Sequence, residues 1–244
     1  MRRDRTRPAF YAARPGGWRD WWTLLHPPYT AWHLSYVVVG ACLAPQVRVS
    51  RLLATLLAFF LAVGVSAHAY DELQGRPLRT RIPTWALVAA CATGLLSAVA
   101  LGVLGVVETG IVLVPFLLVG PLLVIAYNAD LFGGAFHTDL GFALSWGAFP
   151  VLTAYVAQAG TLSASAALAA LGATALSLAQ RALSTPARRL RRGVSAVHGE
   201  VVGADGVEEP LDRERLLQPL ERALRALTTA AVLAAAALAV FRLG

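Results

Sequence analysis

Residues 84–127 read TWALVAACATGLLSAVALGVLGVVETGIVLVPFLLVGPLLVIAY and contain one charged residue, Glu108. A helix that crosses the hydrocarbon core of a bilayer needs about 20 predominantly apolar residues. This stretch is long enough for two such helices, with Glu108 in the turn between them. We therefore interpret residues 84–106 and 110–127 as two membrane spans.

The remainder of the chain continues this pattern. Of its 244 residues, 57% are hydrophobic and 14% are charged, whereas about 25% are charged in an ordinary soluble domain. The high hydrophobicity also argues against a disordered chain. We expect an all-α, polytopic membrane bundle of seven helices, which span residues 29–46, 52–70, 84–106, 110–127, 140–158, 161–180 and 224–241.

The positions of the arginines predict the orientation of this bundle. All 21 basic residues are arginine and the formal net charge is +7, a balance that can indicate a nucleic-acid partner. In the tails, the loops and the residues next to them, however, 18 arginines fall on one side of the membrane and 3 on the other. The positive-inside rule then places the N-terminus in the cytoplasm and the C-terminus outside. We interpret the charge as topology and expect no nucleic-acid partner.

The predicted domain organisation is simple. Residues 1–28 contain tryptophans among arginines and are expected to form a cytoplasmic or interfacial segment, and residues 29–244 form the bundle. The longest predicted loop, residues 186–222, has leucines at helical spacing from Leu211 onward. This pattern predicts a helix that lies at the cytoplasmic interface.

A first group of polar residues stands at the end of the second predicted span. His68, Asp71 and Glu72 have the i, i+3, i+4 spacing that places side chains on one face of a helix. Carboxylates and an imidazole are ligands for a divalent cation, and Mg²⁺ prefers the oxygens. The arginines that follow are suited to a phosphate or diphosphate, and they are Arg76, Arg79 and Arg81. The alternative is an ordinary span end whose acids pair with these arginines.

A second group lies in the loop between the fourth and fifth predicted spans. It contains Asn128, Asp130, His137 and Asp139, and the topology places it on the same side as the first group. The loop after the sixth span, which begins near Arg181, opens to this side as well. We predict that the three loops converge over one cavity. Alternatively, Asp139 only caps the fifth span with its side chain.

These motifs resemble those of the UbiA superfamily of intramembrane prenyltransferases. Residues 25–28, Leu-His-Pro-Pro, look like that family's entry segment, and residues 67–78 are similar to its first Asp-rich motif and the Arg-Pro-Leu that follows. Residues 127–128 and 139–142 resemble its Tyr-containing loop and the start of the next helix. The likeness extends over roughly residues 20–195.

The resemblance implies a helical bundle with a lateral, lipid-facing cavity. In such a protein Mg²⁺ bound by aspartates holds a prenyl diphosphate, and an acceptor captures the allylic cation that forms. The implied partners are an isoprenoid diphosphate or other lipid substrate and the membrane lipids. The implied site residues are Asp71, Asn128 and Asp130 in catalysis, Arg76, Arg79, Arg81 and Arg181 on the diphosphate, and His68, Asp71, Glu72, His137 and Asp139 on the metal.

Two other hypotheses follow from the same residues. Residues 177–184 contain no aspartate where the family keeps a second Asp-rich motif, which favours a lipid-binding or transport protein that retains the bundle without catalysis. The pair His68 and His137, with the neighbouring carboxylates, also suits a membrane metalloenzyme.

Overall fold

The apolar runs of the sequence form long helices in a computed structural model that describes residues 7–129, 131–134 and 137–244. Single-turn helix Leu131–Gly134 and a small antiparallel hairpin, β1 (Glu200–Val202) with β2 (Glu208–Pro210), connect some of them. The long elements are α1 (Trp18–Leu24), α2 (Pro27–Cys42), α3 (Val49–Leu73), α4 (Thr84–Thr109), α5 (Ile111–Asn128), α6 (Asp139–Ala159), α7 (Ala164–Arg192) and α8 (Arg213–Leu243). The predicted all-α class is confirmed.

In the described part of the chain, six helices, α3 to α8, are long and apolar enough to cross a membrane. The predicted first span, residues 29–46, corresponds to α2, which has 16 residues and a length of about 24 Å. That length is below the roughly 30 Å of a hydrocarbon core, which explains why α2 does not qualify with the others. Its side chains pack in the centre of the bundle, where Trp32, Tyr36 and Val37 are buried.

The bundle has two ends, and contacts between loops define them. We name the end that carries the loop after α3 the basic end, and the other end the opposite end. At the opposite end, Arg242 of α8 donates to the carbonyl of Ala44, just beyond the end of α2, at 2.6 Å. At the basic end, the Arg81 amide donates to Asp20 at 3.1 Å, which joins the loop after α3 to α1. With α2 included, the chain runs between the two ends seven times. The assignment of the basic end to the cytoplasm remains a prediction from the arginine distribution.

Small residues allow the helices to approach closely. A Cβ atom at Gly147 of α6 would lie 2.6 Å from the Ser177 hydroxyl and 2.7 Å from the Ala173 carbonyl of α7. Glycine therefore permits a backbone contact that any side chain would prevent. Such packing by small residues is typical of helices that associate in membranes.

Two helices change their winding next to the basic end. Residues Phe60–Ala67 in α3 and Leu144–Ala148 in α6 are π-helical. The wider i to i+5 turn is rare, and it occurs mostly at functional sites. Both segments contribute side chains to the cavities described below.

The loop between the last two helices is shorter than predicted. Helix α7 continues through Arg192, and α8 begins at Arg213, so the loop covers residues 193–212 rather than 186–222. The predicted interfacial helix is instead continuous with α8, whose 31 residues span about 46 Å and exceed the membrane core. Leu217 and Leu224 are buried against Ala187 of α7, and the interfacial position of these turns remains a prediction.

Candidate functional site

A polar cavity of about 160 Å³ lies at the basic end, and we name it the polar chamber. Helices α2, α3, α5, α6, α7 and α8 form its walls together with the N-terminal segment Pro8–Tyr11. Its polar lining side chains are Tyr11, His26, Tyr29, His33, His68, Asp71, Tyr127, Asn128, His137, Gln180, Ser184, Arg188, Arg191, Arg192 and Glu221.

His26 occupies an unusual position on this wall. Its backbone is left-handed, with φ at 46°, immediately before Pro27, and non-glycine residues rarely adopt that conformation. Its Nδ1 atom shares a 2.7 Å hydrogen bond with the Tyr11 hydroxyl, and its ring stacks on His68 with centroids 4.2 Å apart. Its Nε2 atom is buried and has no hydrogen-bond partner among the described residues. From its sequence position, His26 is expected only as part of the entry segment at residues 25–28.

Burial determines the protonation of this corner. It raises the pKa of Tyr11 well above its ordinary value of 10.0, with a further contribution from the neighbouring Tyr29. It also lowers the pKa of His26 well below 6.5, and the adjacent His68 and the α7 arginines act in the same direction. The imidazole of His26 and the phenol of Tyr11 are therefore both neutral near pH 7.

Asp71 and Glu72 are neighbours in α3 but serve different surroundings. Asp71 is exposed to the polar chamber, with no hydrogen bond or ion pair to any residue the structure describes. Glu72 has an exposed fraction of 0% and accepts hydrogen bonds of 2.9 Å from the amides of Leu78 and Thr80, and one of 2.8 Å from the Thr80 hydroxyl. Glu72 thus organises the loop after α3, and the predicted shared face contains only His68 and Asp71.

The arginines of that loop lie outside the chamber. Arg76 donates to the Ile82 carbonyl at 2.5 Å and to the Thr84 hydroxyl at 3.0 Å, so it stabilises the start of α4. Arg79 and Arg81 are exposed and do not line the chamber. The structure therefore does not bring the predicted diphosphate-binding arginines of this loop to Asp71.

The end of α5 and the loop before α6 contribute two rings and an amide. Tyr127 stacks on His137 with centroids 4.5 Å apart, and both line the chamber beside Asn128, whose amide donates to the Val124 carbonyl at 2.7 Å. Asp130, predicted to be catalytic, lies outside the described residues.

Arg181 and Asp139 form an ion pair next to this loop. Arg181 Nε donates to Asp139 Oδ1 at 2.7 Å, and its Nη1 donates to the Tyr127 hydroxyl at 3.0 Å. The N-cap contact of α6 comes from the Thr138 hydroxyl, which accepts from the Gly141 amide at 3.0 Å. Asp139 is thus a partner of Arg181 rather than the side-chain cap, and neither residue lines the chamber.

The cationic wall of the chamber is formed by the last two turns of α7. Arg188 makes no hydrogen bond or ion pair with the described part of the chain. Arg191 pairs with the buried carboxylate of Glu221 from α8, and Arg192 donates to the Pro8 carbonyl at 3.2 Å. These residues are spaced i, i+3, i+4, which puts them on one helix face.

The carboxylates do not fit a metal cage. Glu72 is used by its loop, Asp139 by Arg181 and Glu221 by Arg191, so Asp71 is the one described carboxylate open to the chamber without a partner. Within residues 7–129, 131–134 and 137–244, no three His, Cys, Asp or Glu side chains are grouped closely enough to hold a metal ion. The five residues predicted to bind metal are therefore divided among different contacts.

A second cavity, of about 470 Å³, lies in the apolar interior and is named the apolar cavity. Helices α3, α4, α5 and α6 line it, and the exposed side chains of Leu104 and Val107 mark its opening toward lipid. Val63 and Trp146 line this cavity and the polar chamber alike. They belong to the two π-helical segments, so the altered winding of α3 and α6 forms the common wall.

Several chamber residues were missed by sequence analysis because they come from distant parts of the chain. The α7 stripe carries a readable signal, since Gln180, Ser184, Arg188 and Arg191 recur at helical spacing once α7 is extended to Arg192. Tyr11 and Glu221 have no local pattern, because only the tertiary packing of the N-terminal segment and α8 brings them in.

Comparison with known proteins adds no relative. No protein-family model matches the chain, and no curated protein or solved structure matches it significantly. The resemblance to the UbiA superfamily therefore remains a prediction from the motifs.

Proposed function

We propose that this protein is a UbiA-like membrane enzyme that binds an isoprenoid diphosphate and transfers its prenyl group to an acceptor. The observation that carries the proposal is the common wall of Val63 and Trp146 between a polar chamber with arginines and an apolar cavity. An amphipathic substrate with an anionic head and a long apolar tail matches both volumes at once. Ligand sites of about 300–1,000 Å³ are typical for small molecules, and the apolar cavity is within that range.

The chemistry would take place at the wall. The bond between the first prenyl carbon and the diphosphate oxygen breaks, and both electrons leave with the diphosphate, whose charge the α7 arginines stabilise. The allylic cation would face Trp146, Tyr127 and Phe142, whose rings form one cluster with Tyr127 5.7 Å from Trp146. Aromatic faces attract cations, so the cluster favours this intermediate.

Asp71 suits the remaining proton transfer. The acceptor attacks the cation through an oxygen, nitrogen or carbon atom and must then lose a proton. Asp71 is an open carboxylate within the chamber, and a carboxylate can act as a general base. Asn128 is on the same lining and would orient the acceptor through its amide oxygen.

A transfer assay tests the proposal. The full chain is purified in detergent, incubated with prenyl diphosphates of graded length and a membrane lipid extract as the acceptor source, and assayed for diphosphate release and prenylated product. We expect turnover by the wild type and a loss of at least about 100-fold in Asp71→Asn, as for a general base. Asp205→Asn in the exposed hairpin turn is the matched control and should retain activity. Absence of turnover with every chain length contradicts the proposal.

A second candidate is a lipid-binding or transport protein of the same bundle. It is favoured by the N-terminal segment, because Pro8–Tyr11 lines the chamber and the Pro8 carbonyl is bonded to Arg192. A chamber whose wall includes the N-terminal segment suits sequestration of a lipid head group. Saturable binding of a prenyl diphosphate without turnover by any acceptor fraction would favour this function over transfer.

A further inference from the structure

We infer that the chamber holds a diphosphate group directly through the guanidinium groups of Arg188, Arg191 and Arg192, without a carboxylate-bound metal ion. This inference rests on the proposed function for the identity of the ligand, but it concerns binding rather than transfer. It differs from what the sequence predicts, because the motifs imply Mg²⁺ on an acidic cluster and place the diphosphate on Arg76, Arg79 and Arg81.

Most carboxylates near the chamber already have hydrogen-bond or ion-pair partners. A metal that bridges a protein and a diphosphate needs at least one or two carboxylates free to coordinate it. Glu72 accepts three hydrogen bonds from its own loop, and Glu221 is paired with Arg191. Asp71 is the one described carboxylate left open on the lining, so a metal ion there would have a single carboxylate ligand and would share the chamber with three arginines.

The arginines of α7 have guanidinium N–H donors that are not used within the described residues. A guanidinium group has donors in a planar fork that matches two phosphate oxygens. Arg188 uses none of its donors on the described residues, and Arg192 uses Nε on the Pro8 carbonyl. Arg191 uses Nε on Glu221 and donates from Nη1 to the Arg7 carbonyl at 3.4 Å. Most of the donors on this helix face are therefore open to an anion.

The charged side chains that line the chamber have a net positive charge. Three arginines and two carboxylates, Asp71 and Glu221, line the chamber, and Glu221 is already paired with Arg191, so the lining is positive before any ligand enters. In a site held by arginines, the Asp71 carboxylate repels the diphosphate. In a site held by metal, the same carboxylate is indispensable. Removal of this one charge therefore has opposite consequences for affinity in the two cases.

The experiment measures binding rather than turnover. The full chain in detergent is titrated calorimetrically with inorganic pyrophosphate and with farnesyl diphosphate, each in EDTA and in Mg²⁺. We expect both probes to bind in EDTA within about threefold of their affinity in Mg²⁺. Farnesyl diphosphate should bind more tightly because its tail enters the apolar cavity. Asp71→Asn should bind both probes at least as tightly as the wild type.

Arginine variants identify the residues involved. Arg188→Gln should weaken farnesyl diphosphate binding by at least about tenfold, as expected for a lost charge-assisted contact. Arg189→Gln is the matched control, since Arg189 is its exposed neighbour on α7 and does not line the chamber. Unchanged thermal melting of both variants shows that neither effect comes from unfolding.

Each outcome decides the inference. Binding that EDTA abolishes and Mg²⁺ restores overturns it, as does a tenfold loss in Asp71→Asn with Arg188→Gln unaffected. If neither probe binds, it is likewise overturned. If farnesyl diphosphate alone binds, a loss in Arg188→Gln supports it and no change overturns it. Metal-independent binding without prenyl transfer supports this inference while contradicting the proposed function.

Discussion

The two ends of the bundle use arginine in different ways. At the opposite end, Arg51 donates to the carbonyls of Ala157 and Gln158 at 3.2 and 3.3 Å and to that of Glu108 at 2.5 Å. Arg242 donates to the carbonyl of Ala44. At the basic end, Arg188 has no such partner in the described chain.

The difference lies in which helix ends the arginines reach. Helices α2, α4 and α6 finish at the opposite end, at Cys42, Thr109 and Ala159. The last carbonyls of a helix lack partners within it, and arginine side chains near helix C-termini can bond them. Arg51 bonds the last carbonyls of α4 and α6, whereas Arg242 bonds Ala44 beyond the end of α2. Helices α3, α5 and α7 finish at the basic end, and Arg188 bonds none of their carbonyls in the described part of the chain, so its charge remains open to a ligand.

The loop at residues 74–83 is an exception that allows a test within the basic end. Glu72→Ala removes the acceptor for two buried amides and a hydroxyl, and buried donors left unpaired are costly. We expect the free energy of unfolding to fall by about 3 kcal/mol. A denaturing-detergent titration monitored by circular dichroism measures this value.

Asp71→Ala is the matched control for that substitution. It removes an adjacent carboxylate from the same helix, but one with no hydrogen-bond partner among the described residues, so stability should change by less than about 0.5 kcal/mol. Equal losses in the two variants would show that Glu72 and Asp71 contribute equally to stability, which contradicts the different roles assigned to them.

Much of this division could be predicted, and the exceptions have physical reasons. The long helices follow from apolar length, because a bilayer core sets the same requirement for each span. His68, Asp71, Asn128 and His137 were predicted to meet, and all four line the chamber. The partners of Glu72 were not predictable, since they depend on how residues 74–82 fold back onto α3.

The cationic wall shows the same limit from the other side. The boundary of α7 was placed at residue 180, where the apolar run ends, but the helix continues to Arg192 because Ala187 and Leu190 pack against α8. Hydropathy predicts which residues contact lipid, but it does not predict how far a helix continues beyond the membrane. The arginines were therefore assigned to a loop, and their common helix face was not visible.

Arg51→Met tests the structural role of arginine at the opposite end. The substitution keeps an unbranched apolar chain but leaves the carbonyls of Glu108 and Gln158 without their donor, while the Ala157 carbonyl keeps the Thr109 hydroxyl at 3.0 Å. Hydrogen bonds to charged groups contribute about 1.5–3 kcal/mol, and we expect a loss of about 2 kcal/mol in the same unfolding titration. Arg188→Met should change stability by less than about 0.5 kcal/mol. A reversed order of the two losses would contradict the contrast between the ends.

Arg181→Met examines an intermediate case at the basic end. Arg181 is buried, but its partner Asp139 has an exposed side-chain fraction of 71%, so solvent weakens the ion pair. In the wild type, Arg181 also donates to the Tyr127 hydroxyl and lies 5.0 Å from the Phe142 ring. These two contacts are the main stabilising interactions that the substitution removes. We expect a loss of about 1 kcal/mol, with Asp139→Asn losing less. A larger loss in Asp139→Asn would show that the ion pair dominates.

Ala98→Phe addresses the apolar part of the second cavity, away from Arg51 at its rim, and the smallest effect is expected there. Ala98 of α4 lines the cavity, and a phenyl ring there would occupy volume that a long prenyl tail needs. We expect geranylgeranyl diphosphate to lose about threefold in affinity, which corresponds to roughly 0.7 kcal/mol, while geranyl diphosphate and inorganic pyrophosphate are unaffected. Ala100→Phe is the matched control, because Ala100 is exposed on α4 and is not part of the lining. Equal losses for the short and long chains would place the tail elsewhere, and the polar chamber would then bind its ligand through the head group alone.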